Sequence, residues 1–219
     1  MKQLLVKEFK LTGCPLTFLF LAFAAMTMIP GYPILIDAFF LCMGIFYTFQ
    51  FAREDNDVLY TALLPVAKQD VVRARFAFVI TIQAIGFVLC TALTLVRMIC
   101  LSENEVYLSN AMMNANFVYL GGILLIFALF NLIFVAGFFK TAFYYGKPFL
   151  WFAVASLVVA GIFEVLHHLP GLEGLNTCGF TDMGVQLGVL IVSLCVYLAA
   201  TAAAQKRSIR TFEAIDLSL

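Results

Sequence analysis

Apolar residues form long, almost uninterrupted runs along this chain, and polar residues are concentrated in the short stretches between them. Six runs each approach the roughly 20 residues that a helix needs to cross a bilayer. They lie at residues 15–30, 33–52, 76–100, 117–139, 148–168 and 183–204. The short alternating segments of a membrane β-barrel are absent from the sequence. The pattern therefore predicts an all-α integral membrane protein with six transmembrane helices.

Composition agrees with this prediction. Hydrophobic residues make up 63% of the chain, charged residues 12%, and the mean hydropathy is +1.02. With 219 residues, six spans leave no room for a separate soluble catalytic domain, so we expect a single transmembrane domain. The first apolar run leads into the second without a small-residue cleavage site, and we expect it to be a retained span rather than a signal peptide.

The distribution of Lys and Arg predicts the orientation. If both termini are cytoplasmic, six spans place twelve of the thirteen basic residues inside and leave Arg97 near the outer face. The twelve are Lys2, Lys7, Lys10, Arg53, Lys68, Arg73, Arg75, Lys140, Lys147, Lys206, Arg207 and Arg210. The positive-inside rule therefore supports six spans, with loops 101–116 and 169–182 outside and a cytoplasmic tail at 205–219.

Residues 1–14 precede the first span, and residues 2–12 are predicted to form a helix lying along the membrane surface. Gln3, Lys7 and Lys10 fall on one side at helical spacing, and several apolar residues lie broadly opposite. Glu8 and Val6 interrupt this pattern. Gly13 and Pro15 are expected to break this helix and start the next one.

The longest polar stretch runs from Arg53 to Arg75, between the second and third spans. Within it, residues 55–64 are predicted to form a short amphipathic helix, with one apolar face made by Val58, Leu59, Ala62 and Leu63. Pro65 is expected to end this helix. A new helix is expected to begin near Asp70, acting as its N-cap, and to lead into the third span.

Polar residues inside the predicted spans are candidates for function, because a charge at mid-bilayer costs about 2.5–3.5 kcal/mol. Asp37 lies about one turn into the second span and is expected to remain hydrated near the outer interface. Gln83 and Asn131 are expected to hydrogen-bond between helices, or alternatively to line a pathway. Glu164 precedes His167 and His168, a spacing that permits metal or proton chemistry but is more typical of a hydrated helix end.

Motifs of catalysis are missing from the sequence. It contains no Gly-x-Ser-x-Gly element and no Gly-x-x-x-x-Gly-Lys-Ser/Thr phosphate loop, so we expect neither an enzyme nor a bound cofactor in this chain. The six cysteines show no metal-binding spacing, and a disulfide between Cys100 and Cys178 on the outer face is left open.

The central stretch carries a motif that resembles a known family. Along the chain, the motif consists of an acid after the second span, a Leu-Pro-Val turn, a basic residue, a Val pair and a basic-aromatic pair. This order of features resembles that of the bacterial type-two ABC transporter permeases. The matching residues are Glu54, Leu64, Pro65, Val66, Lys68, Val71, Val72, Arg75 and Phe76. Ala67 departs from this pattern, since Ser is common there. The six-span layout extends the resemblance over nearly the whole chain.

This resemblance implies a permease subunit of the bacterial cytoplasmic membrane that works as a homo- or heterodimer with two cytoplasmic ABC ATPase subunits, which bind ATP and Mg²⁺. It implies a coupling helix at 55–64 that docks on the ATPase. The implied coupling residues are Glu54, Asp57, Leu59, Tyr60, Leu63, Leu64, Pro65 and Lys68. The expected cargo is a peptide or other amphipathic compound, moved outward.

Two alternatives stay open at this stage. A membrane subunit that binds substrate in a vitamin importer also has six spans and about this length, but it needs no cytoplasmic helix between spans two and three. A membrane scaffold or sensor without transport activity is the other alternative.

Overall fold

The computed structural model of the 219-residue chain describes residues 2–57, 60–61, 66–141 and 144–215. These residues form helices and loops, with no strand among them. We number eight helices: α1 (Lys2–Lys7), α2 (Pro15–Phe20), α3 (Ile36–Glu54), α4 (Lys68–Cys100), α5 (Glu105–Leu108), α6 (Phe117–Lys140), α7 (Gly146–Leu166) and α8 (Met183–Ala214). A 3₁₀ helix at Glu173–Asn176 lies in the loop between α7 and α8.

The first two helices change geometry along their length. A π-helical turn, Glu8–Thr12, extends α1, and a 3₁₀ stretch, Leu21–Met28, extends α2. The chain bends by 79° between Gln3–Lys10 and Pro15–Met28. Pro15 is the first residue of α2, where its missing N–H costs no helical hydrogen bond. The predicted break between the N-terminal helix and the first apolar run therefore lies where expected.

Four of the described helices, α4, α6, α7 and α8, are long and apolar enough to cross a membrane, and the bent pair would add a fifth. The helix α3 has 19 residues and carries Asp37, Arg53 and Glu54, and it does not meet the same criterion. The chain is therefore a multi-pass membrane protein, and the sixth span stays a prediction.

Two helices are longer than the sequence indicated. α4 begins at Lys68, and Ala67 occupies the N-cap position without a side-chain hydrogen bond. The prediction of Asp70 as N-cap is therefore wrong, because Asp70 already lies in the first turn. α8 continues to Ala214, so most of the predicted tail is helical, and buried Phe212 packs against Phe139 with ring centroids 5.7 Å apart.

The helix α6 lies at the centre of the bundle, since most of its residues are buried. Aromatic side chains fill the space between α3, α6 and α7. Phe46 of α3 stacks on Phe149 of α7 with centroids 4.0 Å apart, and Phe49 meets Phe134 of α6 edge to face at 5.2 Å. Such contacts add van der Waals packing, which drives helix association where water is absent.

The helices α2 and α3 approach closely at Gly44. A methyl group at this position would lie 2.6 Å from the Cβ atom of Phe20. The closeness lets the Thr17 hydroxyl donate to the Gly44 carbonyl at 2.6 Å and lie 2.7 Å from the Thr48 hydroxyl. Small residues and hydroxyl groups of this kind hold membrane helices together.

The Gly44→Ala variant should lose stability, because a Cβ atom must displace Phe20, and overpacking typically costs about 1–3 kcal/mol. The matched control is Gly161→Ala, also in a helix, where an added Cβ meets nothing within 4 Å. Thermal unfolding of the detergent-purified protein should show a lower transition temperature for Gly44→Ala only. Equal behaviour of the two variants would show that α2 and α3 do not pack as described.

Candidate functional site

Charged side chains from three parts of the chain meet at one end of the bundle, where α1 contacts the polar stretch Arg53–Arg75, called the central stretch. Asp57, a helical position in that stretch, accepts hydrogen bonds from Lys7 at 2.6 Å and from Arg75 of α4 at 3.0 Å. Lys7 also donates to the Thr61 hydroxyl at 2.7 Å. We call Lys7, Glu8, Asp57, Thr61 and Arg75 the tether cluster.

Arg75 is the buried member that joins these parts. Only 2% of the residue is exposed, and its Nε lies 3.1 Å from a carboxylate oxygen of Glu8, which is 1% exposed. The guanidinium also lies 5.3 Å from the centre of the Phe49 ring of α3. A buried guanidinium needs several partners to offset its lost hydration. Two carboxylates contact Nε and Nη2 and an aromatic face lies nearby, while Nη1 has no hydrogen-bond partner among the described residues.

Glu8, Lys7 and Thr61 were not among the residues that the sequence singled out as functional. The signal for Glu8 was nonetheless present, because an acid interrupted the apolar side of an otherwise amphipathic helix. In the structure Glu8 faces inward, where it forms an ion pair with Arg75. The neighbouring Phe9 packs on Phe78 with ring centroids 4.9 Å apart. A charge on the wrong side of a helix thus marked a buried ion pair.

The predicted coupling residues have different surroundings. Glu54 ends α3 in an exposed position and accepts a hydrogen bond from Gln50 at 3.0 Å. Tyr60 is 68% exposed. Lys68 is bound rather than free, since its Nζ donates to the Ile215 carbonyl at 2.8 Å and lies 5.9 Å from the Phe212 ring centre. Leu59, Leu63, Leu64 and Pro65 lie outside the described residues.

A cavity of about 370 Å³ opens beside the tether cluster. Asp55, Asp57 and Tyr60 line it from the segment after α3, and residues 13–15 line it from the bend between α1 and α2. Phe51 and Ala52 line it from the end of α3. The central stretch therefore presents an exposed aromatic ring and two acids beside a recess on the bundle surface.

Gln83 and Asn131 contact each other directly in the interior of the bundle. Their side-chain amides exchange two hydrogen bonds, of 3.1 and 3.2 Å, between α4 and α6. From α8, Tyr197 donates to Gln83 at 2.9 Å and the Thr201 hydroxyl accepts from Asn131 at 2.9 Å. Asn131 lies in a π-helical turn, Phe130–Val135, which interrupts the regular α-helix at this point. These bonds hold three helices together.

Asp37 is completely buried, with 0% of the residue exposed. The expectation that it stays hydrated is wrong, because Tyr119 and Thr27 surround it and both donate hydrogen bonds to its Oδ2 atom, Thr27 at 3.2 Å. Cys90 approaches the same oxygen at 3.6 Å. Oδ1 has no hydrogen-bond partner among the described residues. The structure thus replaces the hydration of this acid by side-chain hydroxyls from two other helices.

Glu164 accepts a hydrogen bond from the Met113 backbone N–H at 2.7 Å and so joins α7 to the loop before α6. The neighbouring His167 lies 3.4 Å from the Ala111 carbonyl. Across the described ranges, no group of three or more His, Cys, Asp or Glu side chains is placed to hold a metal ion. In the structure, Glu164 serves as an anchor for the loop before α6.

At the opposite end of the bundle from the tether cluster, neutral groups surround Arg97. This guanidinium donates to the Thr27 carbonyl at 2.6 Å and to Asn114 at 3.3 Å, and it covers the Tyr107 ring at 4.4 Å. Asn176 accepts from the Asn114 backbone at 2.6 Å. All six cysteines are free thiols, including Cys100 and Cys178. Burial raises the pKa of the Cys178 thiol, and nearby Arg97 partly offsets this rise.

These features define a helical membrane protein with a polar network at each end and a third one inside. The comparison with known families names it further: the model of the ABC-2 family transporter proteins matches residues 3–207. The chain therefore belongs to the ABC-2 family and is a membrane component of a transporter. The family resemblance found in the central stretch is confirmed. No curated protein and no solved structure matches the chain significantly.

The Arg75→Gln variant should be strongly destabilised, because it leaves Glu8 without its buried cation and removes one partner of Asp57. Breaking a buried pair in this way typically costs about 3–5 kcal/mol. The control is Arg73→Gln, two residues away, whose side chain is 48% exposed and pairs with Asp70 at 3.4 Å, a contact typically worth about 0–1 kcal/mol. Thermal unfolding and protease cleavage near α1 should distinguish the two variants. Similar values for both would contradict the buried ion pair.

The Asn131→Leu variant should lose stability because it leaves Gln83 partly unpaired, and interhelical hydrogen bonds in membrane proteins average about 0.6 kcal/mol each. Adding Gln83→Leu should recover part of that loss, since replacing both partners with apolar groups removes the unpaired amide. Unfolding of both single variants and the double variant completes the cycle. Strictly additive losses would argue against a direct bond between the two amides.

Proposed function

We propose that this chain is the membrane-spanning permease subunit of an ATP-binding-cassette transporter of the bacterial cytoplasmic membrane. Separate cytoplasmic ATPase subunits bind ATP and Mg²⁺ and dock on residues 55–65. The observation that carries the proposal is the attachment of Asp57, which lies between α3 and α4, to both α1 and α4 through the bonds from Lys7 and Arg75.

The need for a docking surface follows from the energy source. The sequence lacks a phosphate-binding loop, and the family to which the chain belongs implies a partner ATPase. The free energy of ATP hydrolysis must therefore be transmitted to the permease through a contact between the two proteins. A flexible loop would absorb such movement, whereas a segment bonded to a membrane helix transmits it.

The tether cluster provides that transmission. A push on the segment that holds Asp57 reaches α4 through the 3.0 Å bond to Arg75, and α3 is continuous with the other end of the segment. Lys7 holds the same carboxylate from α1, which braces the segment along the membrane surface. Movement of the segment then tilts α3 and α4 together and changes the access of the transport pathway.

Cargo and assembly are further parts of the proposal. The helices α7 and α8 expose apolar side chains along much of their length, among them Leu150, Val154, Val158, Ile191 and Val192. A surface of this kind suits a second permease copy or sister subunit, as well as lipid. We propose export of a peptide or other amphipathic compound, which partitions readily between such a surface and the bilayer.

Tyr60→Asp tests the docking, because this side chain is exposed and its replacement leaves the bundle intact. A tagged chain purified from its native membrane should carry an ATPase with a Gly-x-x-x-x-Gly-Lys-Ser/Thr loop. The amount of ATPase that co-purifies with the variant should fall by about tenfold or more, as expected for an aromatic anchor of an interface. Leu63→Asp should act in the same way.

The control is Tyr144→Asp, which changes an exposed tyrosine outside the central stretch. It should retain the ATPase. An unchanged complex and unchanged ATP-dependent transport in both central-stretch variants would refute the proposal. Tight binding of a small vitamin by the isolated chain would favour the importer alternative.

A further inference from the structure

A second recess lies at the end of α6, where this helix meets the start of α7 and the last third of α8. Its volume is about 450 Å³, and three basic side chains line it: Lys140, Lys147 and Arg207. No acidic residue contributes to its lining. Each cation belongs to a different helix, so the recess exists only in the folded bundle.

These three cations are exposed, and no ion pair with another described residue neutralises them. They differ in this from Lys7 and Arg75 at the same end of the bundle, which are bound to Asp57 and Glu8. Three cations without counter-charges around one recess attract an anion with several oxygen atoms, such as a phosphate group.

The rest of the recess is apolar. Apart from Thr141, the remaining lining consists of Leu132, Ile133, Gly137, Pro148 and Trp151, which is 67% exposed. Ile133 and Lys140 are seven residues apart on α6, or about 10 Å along a helix axis. The charges thus lie at the end of the bundle and the apolar groups lie towards its middle. Trp is the residue most typical of the boundary between headgroups and acyl chains.

We propose that this recess binds an anionic phospholipid of the cytoplasmic leaflet, with the phosphate among Lys140, Lys147 and Arg207. The proximal part of an acyl chain then lies along Leu132, Ile133 and Trp151. The three cations complement a phosphate group, and the adjoining apolar side chains complement an acyl chain. This combination favours a lipid over a free anion, because inorganic phosphate gains nothing from contact with apolar side chains. Basic recesses between membrane helices on the cytoplasmic side commonly hold such headgroups. The proposal depends on the membrane placement and not on the partner ATPase.

Trp151 is the single tryptophan of the chain, so its fluorescence reports on this recess. The full chain is reconstituted in phosphatidylcholine bilayers containing equal fractions of brominated phosphatidylglycerol or brominated phosphatidylcholine, whose bromine atoms quench tryptophan on contact. We expect the relative association constant at Trp151 to be about tenfold higher for phosphatidylglycerol. Equal quenching by the two lipids would overturn the proposal.

The variant Lys140→Gln/Lys147→Gln/Arg207→Gln should lose this preference. The control Lys10→Gln/Lys206→Gln/Arg210→Gln removes the same charge from exposed positions outside the recess, and it should keep the preference. Loss of the preference in both would mean that the overall surface charge attracts the lipid, which refutes a defined site. Arg207→Gln alone, expected to reduce the preference partially, serves if the triple variant does not fold.

Two further arms identify the source of the phosphate. Inorganic phosphate added in excess should not abolish the preference, and its abolition would assign the recess to a free anion instead. If the triple variant keeps the lipid preference but loses a co-purifying ATPase, the cations serve a protein interface and the lipid proposal fails.

Discussion

The ion pair of Arg75 with Glu8 and Asp57 is the interaction on which the end of the bundle at α1 and the start of α4 depends. The guanidinium lies out of solvent, so its charge is tolerable only while both carboxylates remain in place. Glu8 lies in the π-helical turn after α1, and Asp57 lies between α3 and α4. Neither segment can therefore leave α4 without exposing an unpaired buried charge. Desolvation of these charges makes the ion pair a poor source of stability. The same desolvation fixes the positions of the segments, because separating them would leave a buried charge unpaired.

The two ends of the bundle are held together by different kinds of interactions. At the end with most basic residues, ion pairs and exposed cations dominate. At the other end, amide side chains and backbone groups surround the single cation Arg97. Asn114 and Asn176 join the loops at this end by hydrogen bonds, and Glu164 supplies a further anchor through the Met113 N–H. The charge asymmetry of the sequence is therefore expressed as two distinct kinds of packing.

Between these ends, a few polar groups lie deep in an apolar interior. Gln83, Asn131, Tyr197 and Thr201 satisfy one another across three helices, and Asp37 is held by hydroxyls from two other helices. In an environment without water, each such group needs a partner on a neighbouring helix. These contacts fix the relative rotation of helices whose apolar surfaces alone would permit many arrangements. A π-helical turn places Asn131 in that network.

The sequence by itself determined the helical membrane class, the family, the break at Gly13–Pro15 and the positions of the long helices. These depend on hydrophobic run length, on Gly and Pro chemistry and on local motif order, which are all properties of contiguous residues. Tertiary structure alone decided that Asp37 is buried, that Lys68 is bound to the end of α8, and that Glu8 faces Arg75. Each of these depends on a partner 50 or more residues away in the chain, and no local pattern specifies which distant group will supply the compensating charge or hydrogen bond.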